Sequence, residues 1–169
     1  MNLGNNFSSK IFFLLIIALS FFIGFAFRDY APGGASADFT KITWPTIQSF
    51  KEDLYFSITN YGKFQDASYP FFYIFSAYIN PFSFNEIQYL ISNTIISFFT
   101  FLIFAFLLKK NFPKISTLDC YLSASVILLL PFYRTSAYWG TTENLGWIFF
   151  VLALYFFFKI KFFEEKKQK

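Results

Sequence analysis

Two polar segments of this chain carry the side chains that could perform chemistry. Residues 28–68 hold five carboxylates: Asp29, Asp38, Glu52, Asp53 and Asp66. Residues 134–144 hold Arg134 and Glu143. A carboxylate can accept a proton from a hydroxyl group, and an arginine can bind a phosphate through paired hydrogen bonds. Together the segments could combine a base with an anion-binding group; for each charge alone, a solvated loop residue is the competing interpretation.

Composition argues against several other kinds of site. Of the 169 residues, 56% are hydrophobic and 14% charged, and there is no histidine and a single cysteine, Cys120. Neither G-x-x-x-x-G-K nor G-x-G-x-x-G occurs, so no soluble nucleotide site is indicated. Phe lies mostly inside long apolar runs, which argues against nucleic acid as a partner. The sequence indicates no cofactor and no metal site, and it leaves the use of a divalent metal open.

Four apolar segments predict membrane-spanning helices at residues 11–27, 86–108, 117–133 and 144–160. The first would reach about 25 Å at the helical rise, enough to cross a hydrocarbon core. A cleaved signal peptide is the alternative for this segment, because an A-x-A pattern follows at residues 35–37. We therefore predict an all-α membrane protein with about four transmembrane helices in one membrane domain, residues 1–169.

Local signals predict where the second and third spans begin and end. Ser83 and Glu86 form a capping-box pattern before the second span, and Ser116 with Asp119 could cap the third. Pro131 would break the third span near its end at residue 133.

The outer loop, residues 28–85, is expected to carry two amphipathic juxtamembrane helices. At residues 45–61, apolar side chains recur with helical spacing: Ile47, Phe50, Leu54, Ile58 and Tyr61. Such a helix between two spans is predicted to lie on the membrane surface. The second element, residues 70–79, is too short to cross and is predicted to be interfacial or re-entrant.

The distribution of basic residues predicts the orientation. With the amino terminus inside, nine lysines lie in short inner segments and in the tail at 161–169, while five basic residues remain outside. Both termini are therefore expected in the cytoplasm and the large loop outside, in what we expect to be a bacterial plasma membrane. Residues 28–85 and 134–144 would share the outer face.

Three segments carry a resemblance to a known family: GGASADFTKITWPTIQSFKEDLYFSITNYG, DASYPFFYIFSAY and LPFYRTSAYWGTTENLGW. In this order they resemble the amino-terminal part of a GT-C superfamily glycosyltransferase, a polytopic membrane enzyme that uses polyprenyl-phosphate-linked sugars. The resemblance covers nearly the whole chain but only the first third of typical members. It therefore implies a missing carboxy-terminal part or a partner membrane subunit, and a role in cell envelope glycan biosynthesis.

The resemblance also implies roles for individual residues. Asp38 matches the outer-loop acid that activates the acceptor and is the first choice for the base, with Asp66 second. Asp38 is followed by Phe39 rather than by the second acid that many members have, so its assignment depends on position. Arg134 would bind the carrier phosphate. Glu143 would orient a substrate, or act only as a favourable charge in the first turn of a helix.

Two classes of function remain open. One is transfer of a sugar from a polyprenyl-phosphate-linked donor at the outer face, with Asp38 as the base. The other is a non-catalytic polytopic membrane protein that serves as a partner or scaffold subunit. A transporter is less favoured because the charged residues are predicted to lie at helix ends or in loops.

Overall fold

The computed structural model describes residues 3–27, 34–64 and 69–167, and within these ranges the regular structure is helical, with no strand. The α-helices are α1 (Leu3–Ala26), α2 (Gly34–Asp38), α3 (Trp44–Glu52), α4 (Leu54–Thr59), α5 (Pro70–Ile74), α6 (Glu86–Asn111), α7 (Thr117–Ser125), α8 (Pro131–Trp139) and α9 (Glu143–Lys167). Shorter π-helical and 3₁₀ segments adjoin them: Phe39–Thr43, Tyr61–Lys63, Phe75–Ile79 and Val126–Leu129.

Among the residues that the structure describes, three helices are long and apolar enough to cross a membrane: Phe7–Ala26 of α1, Glu86–Asn111 of α6 and Glu143–Ile160 of α9. The shortest of these stretches has 18 residues and rises about 27 Å, close to the thickness of a hydrocarbon core. The prediction of an all-α fold is therefore confirmed for the described part of the chain, and three of its helices have the length and composition of membrane spans; the predicted count of four stays a prediction.

Residues 117–139 do not form the single helix that was expected to end near residue 133. The apolar helix Thr117–Leu129 rises only about 20 Å and stops at Leu130, whose backbone is extended. A residue before proline is disfavoured in the helical region, and Pro131 then occupies the first turn of α8. Pro131 therefore begins a new helix, and Arg134 lies within it rather than in a loop.

The helix caps agree with the predicted ones in one case and differ in the other. At α7, the Ser116 hydroxyl accepts a hydrogen bond from the Asp119 backbone N–H at 3.1 Å. At α6, Asn85 rather than Ser83 is the cap, since its side chain accepts from the Gln88 backbone N–H at 2.9 Å. The Ser83 hydroxyl instead donates to the Asn80 carbonyl.

The helix expected at residues 45–61 is divided at Asp53. The backbone of Asp53 is extended, and its carboxylate caps α4 by accepting from the Phe56 N–H at 2.8 Å. The break changes the helical phase, so Phe50 is fully buried whereas Ile58 is 47% exposed. In the second predicted element, α5 and the π-helical segment Phe75–Ile79 together cover residues 70–79.

The bundle has two distinguishable ends. At one, which we call the lysine end, the Lys10 ammonium of α1 pairs with the Asp119 carboxylate of α7 at 2.7 Å. Lys110, near the end of α6, lies over the Tyr155 ring of α9 at the same end. The opposite end, the loop end, contains the first turns of α6 and α9 together with α2–α5. Helix α6 therefore runs parallel to α9 and antiparallel to α1.

Two clusters of buried side chains hold these elements together. The loop-end core joins α3, α5 and the π-helical segments to α6, α8 and α9, and contains Phe39, Ile47, Phe50, Phe72, Tyr73, Tyr89, Leu90, Trp139 and Leu145. The bundle core joins α1, α6, α7 and α8, and contains Phe21, Phe101, Ala105, Ala124, Leu128, Tyr133, Ala137 and Tyr138.

Candidate functional site

Asp38 is an exposed residue at the loop end, where it closes α2. The next residue, Phe39, begins a π-helical segment and is almost fully buried. Its ring stacks on the Tyr89 ring with centroids 5.8 Å apart and planes 13° apart. Aromatic packing of Phe39 against α6 therefore anchors the backbone next to Asp38, while the carboxylate remains accessible.

A tight turn after α8 contacts the same tyrosine. Gly140 ends α8 with a φ of 62°, a left-handed conformation that favours glycine. The Tyr89 hydroxyl donates to the Gly140 carbonyl at 3.3 Å. A Cβ at this position would lie 2.6 Å from Cε1 of Tyr89, so the close approach of α8 to α6 also requires glycine. Tyr89 thus links the α2–α3 region to the turn that leads into α9.

Arg134 lies in the first turns of α8 and faces α1. Its guanidinium donates to the Ser20 carbonyl at 2.6 Å and to the Tyr138 hydroxyl at 3.1 Å. The Tyr138 hydroxyl in turn donates to the Phe21 carbonyl. Ser20 precedes Ala26, the last residue of α1, by about 9 Å of helical rise. The cation is therefore held inside the length of the apolar helix, at a depth that the sequence interpretation placed in a loop.

A depression on the surface of α1, which we call the arginine groove, includes this guanidinium in its wall. Its volume is about 540 Å³, and its walls include Ile16, Leu19, Ile23 and Phe27 with Arg134. These α1 side chains are largely exposed, as expected of a surface that faces lipid. The groove thus combines apolar walls with a permanent positive charge.

Glu143 is the first residue of α9 and lies beyond the other end of α8. It is exposed, and its carboxylate accepts a hydrogen bond from the Ser136 hydroxyl at 3.0 Å. It borders an open cavity of about 470 Å³, the glutamate cleft, whose walls include Tyr69, Phe71 and Phe149. The carboxylate thus faces an aromatic surface formed by the segment around α5 and by α9.

A layer of polar side chains between α6, α8 and α9 holds α8 in place. The Asn93 amide donates to the Ala137 carbonyl at 2.9 Å, and the Tyr133 hydroxyl donates to the Ser97 carbonyl at 2.8 Å. Asn144 is fully buried and donates to the Ser97 hydroxyl at 2.7 Å. The polar side chains of α6 thus face other helices. Asn144 is not among the predicted site residues; its signal in the sequence is an amide one residue inside an apolar helix.

The remaining predicted acids have simpler placements. Glu52 is exposed at the end of α3, and Asp53 caps α4. Asp29 and the second-choice base, Asp66, lie outside the described residues. Among the residues that the structure describes, no group of three potential metal ligands occurs.

Helix α8 is the element around which the predicted site residues are arranged. Arg134 lies near its start on the α1 side, and Glu143 follows its end on the α5 side. Asp38 is near the same end of α8 through the contacts of Phe39 with Tyr89 and of Tyr89 with Gly140. The described hydrogen bonds do not join Asp38 to Arg134 or to Glu143, so the structure presents two separate recesses flanking one helix.

Comparison of the chain with protein-family models, with curated proteins and with solved structures finds no match.

Proposed function

We propose that the chain is a membrane glycosyltransferase, or the amino-terminal portion of one, that transfers a sugar from a polyprenyl-phosphate-linked donor at the outer face of the membrane. Asp38 would accept the proton of the acceptor hydroxyl as its oxygen attacks the anomeric carbon. The bond from that carbon to the phosphate oxygen would break, the electron pair leaving with the phosphate. Direct displacement of this kind inverts the anomeric carbon.

The observation that carries the proposal is the arginine groove. A polyprenyl phosphate has a long apolar chain and an anionic head, and a site for it needs an apolar surface within the membrane beside a cation. Ile16, Leu19 and Ile23 supply that surface, and the Arg134 guanidinium lies beside them. Arginine keeps its charge at all relevant pH values and pairs with phosphate oxygens through a planar set of donors.

The topology required by the proposal has four crossings, with both termini in the cytoplasm. Its support is that residues 117–140 extend from the lysine end, where Asp119 pairs with Lys10, to the loop end, where Gly140 contacts Tyr89. Helices α7 and α8 would together form one broken crossing. The lysine-rich end would face the cytoplasm, as the positive-inside rule requires, which leaves Asp38 and Glu143 outside.

The assignment of the base is tested by Asp38→Asn in membranes that contain the active enzyme, with polyprenyl-phosphate sugars as donors. Loss of a general base lowers turnover by about 100-fold or more. Glu52→Gln removes another exposed acid of the same loop and should transfer sugar at the original rate. Turnover near the original rate in Asp38→Asn, with normal membrane insertion of both variants, would overturn the assignment.

The phosphate site is tested without catalysis. The chain in phosphatidylcholine nanodiscs is titrated with a long-chain polyprenyl phosphate, and Arg134→Gln should weaken binding at least tenfold. Lys63→Gln removes an exposed cation of the loop end and should not change the affinity. Equal affinity of the original chain and of Arg134→Gln would contradict the proposed role of the groove.

A non-catalytic subunit is the second candidate, and the exposed faces of α1 and α9 favour it. Large side chains on both helices are more than half exposed, among them Phe12, Phe13, Phe156 and Phe157. These faces have room for helices of a partner. Sugar transfer by the isolated 169-residue chain would exclude this alternative, whereas failure to bind polyprenyl phosphate together with absence of transfer would favour it.

A further inference from the structure

The glutamate cleft, on the side of α8 away from the arginine groove, has the chemistry of a second binding site. Its aromatic walls include Tyr69 and Phe71 of the α5 region and Phe149 of α9. The Phe71 and Phe149 rings meet edge to face in the wall of the cleft, with centroids 5.9 Å apart. A volume of about 470 Å³ lies within the range of small-molecule sites.

The polar groups of the cleft select against an anion. Glu143 is the charged residue of its lining, and an ionised carboxylate only accepts hydrogen bonds. A phosphate beside it would meet like charge, whereas the hydroxyl groups of a neutral ligand can donate to it. Thr142 lies at the same rim.

The carboxylate is oriented rather than freely rotating. The Ser136 hydroxyl donates to it at 3.0 Å, and that same hydroxyl lies 2.7 Å from the Thr141 hydroxyl. Ser136 is buried in α8, which the α6 amide of Asn93 holds in place. One face of the carboxylate is thus fixed by the fold, and the other remains open toward the aromatic rings.

Gly146 leaves the cleft open one turn into α9. It is exposed, and a Cβ added there would meet no atom within 4 Å. Helix interiors disfavour glycine by about 1 kcal/mol relative to alanine, so the missing side chain weakens the helix and enlarges the recess. A bulky side chain at this position would fill the cleft without moving neighbouring residues.

We propose that the glutamate cleft binds the pyranose ring of a neutral sugar, with ring hydroxyls donating to Glu143 and an apolar sugar face packed on Phe71 or Phe149. This inference rests on the proposed function and adds its carbohydrate subsite. It separates two ligand chemistries across α8: an anionic lipid in the arginine groove and a neutral sugar in the glutamate cleft. The sugar can belong to the acceptor or to the donor.

The test uses saturation-transfer NMR on the full chain in phosphatidylcholine nanodiscs, with a panel of methyl hexopyranosides as probes. At least one glycoside should receive saturation. Glu143→Gln keeps the acceptor atom for Ser136 and should weaken binding about tenfold, and Gly146→Leu should abolish it by filling the cleft. Glu86→Gln is the matched control, since Glu86 is also an exposed acid in the first turn of a long helix at the loop end.

The outcomes distinguish these assignments. The proposed carbohydrate subsite would be overturned if no glycoside receives saturation from the original chain. It would also be overturned if the glycosides receive as much saturation from Glu143→Gln and Gly146→Leu as from the original chain. If Glu143→Gln weakens binding of a polyprenyl-phosphate sugar more than binding of the plain polyprenyl phosphate, the cleft holds the donor sugar; if it weakens only the glycosides, the cleft holds the acceptor. Intact binding of polyprenyl phosphate with no glycoside binding would contradict this inference alone and leave the proposed function standing.

Discussion

The bundle core and the loop-end core position their site residues by different forces. In the bundle, Asn93, Tyr133 and Asn144 donate hydrogen bonds to groups on neighbouring helices, as is common where helices pack inside a membrane. At the loop end, short helices are held by packed rings around Phe50 and Tyr89. Directional bonds therefore hold the elements that carry Arg134 and Glu143, whereas apolar packing holds the segment that carries Asp38.

This difference implies that the two cores can be damaged separately. The bundle relies on contacts between long helices that lipid also supports. The loop end relies mainly on burial of aromatic rings, to which single hydrogen bonds such as those from Tyr78 to the Phe50 carbonyl and from Tyr89 to the Gly140 carbonyl are added. Substitutions chosen in each core should therefore affect different parts of the molecule, and to different extents.

The largest effect is expected from Phe50→Ala. Phe50 is fully buried, and its ring packs within 6.2 Å of the rings of Tyr61, Phe64 and Tyr73. Truncating a buried phenylalanine costs about 3–5 kcal/mol, and we expect residues 39–64 to unfold locally while α6 and α9 remain protected. Hydrogen exchange measured in nanodiscs checks this. Phe56→Ala, at an exposed position of α4, should change little, and equal loss of protection throughout the bundle would contradict the separation of the two cores.

Gly140→Ala should have a somewhat smaller effect but reach both cores. The left-handed backbone costs a non-glycine residue about 1–2 kcal/mol, and the contact with Tyr89 adds strain, for a total of about 2–4 kcal/mol. Because Tyr89 belongs to the loop-end core and Gly140 ends α8, the substitution should lower the thermal unfolding temperature of both the loop end and the bundle. Gly62→Ala, where an added Cβ meets nothing within 4 Å, is the control. A stability equal to that of Gly62→Ala would argue against the close approach of α8 to α6.

The smallest of the three effects is expected from Asn144→Leu in the bundle. The substitution removes the hydrogen bonds that the amide donates to the Ser97 hydroxyl and the Tyr133 carbonyl. Hydrogen bonds between membrane helices contribute about 0.5–2 kcal/mol, so the free energy of unfolding measured in mixed micelles should fall by that amount. Phe99→Leu on the exposed face of α6 should leave the free energy of unfolding unchanged. If Asn144→Leu lost as much stability as Phe50→Ala, the distinction between the two cores would be wrong.

The long helices were predictable because a long apolar run with few charges is a strong signal for a membrane-spanning helix. Helices α6 and α9 contain the stretches predicted as the second and fourth spans, and α1 covers the first except for its last residue, Phe27; Glu143 lies at the start of α9. The break at Asp53 was not predictable from periodicity, since the spacing of apolar residues continues through it. Only the capping bond of Asp53 to Phe56 distinguishes the two short helices, and an aspartate inside an amphipathic pattern is ordinarily a solvated face.

The depth of Arg134 was missed because Pro131 was interpreted as the end of a helix instead of the beginning of one. Both roles are common for proline, and only the partners on α1, Ser20 and Phe21, distinguish them. Those contacts join residues more than 100 positions apart, which a single sequence does not reveal. The same limitation applies to the two recesses beside α8, whose walls come from distant segments.

The division of residues 117–139 into α7 and α8 has a consequence for how the chain enters the bilayer. The apolar stretch ends at Leu129, and an arginine within a membrane helix raises the cost of insertion by about 2.5–3.5 kcal/mol. On the proposed topology, this crossing is therefore a poor substrate for the translocon by itself. The Ser20 carbonyl of α1 and the amides of α6 and α9 supply the partners that its polar groups need, so biogenesis of the third crossing depends on helices made before and after it.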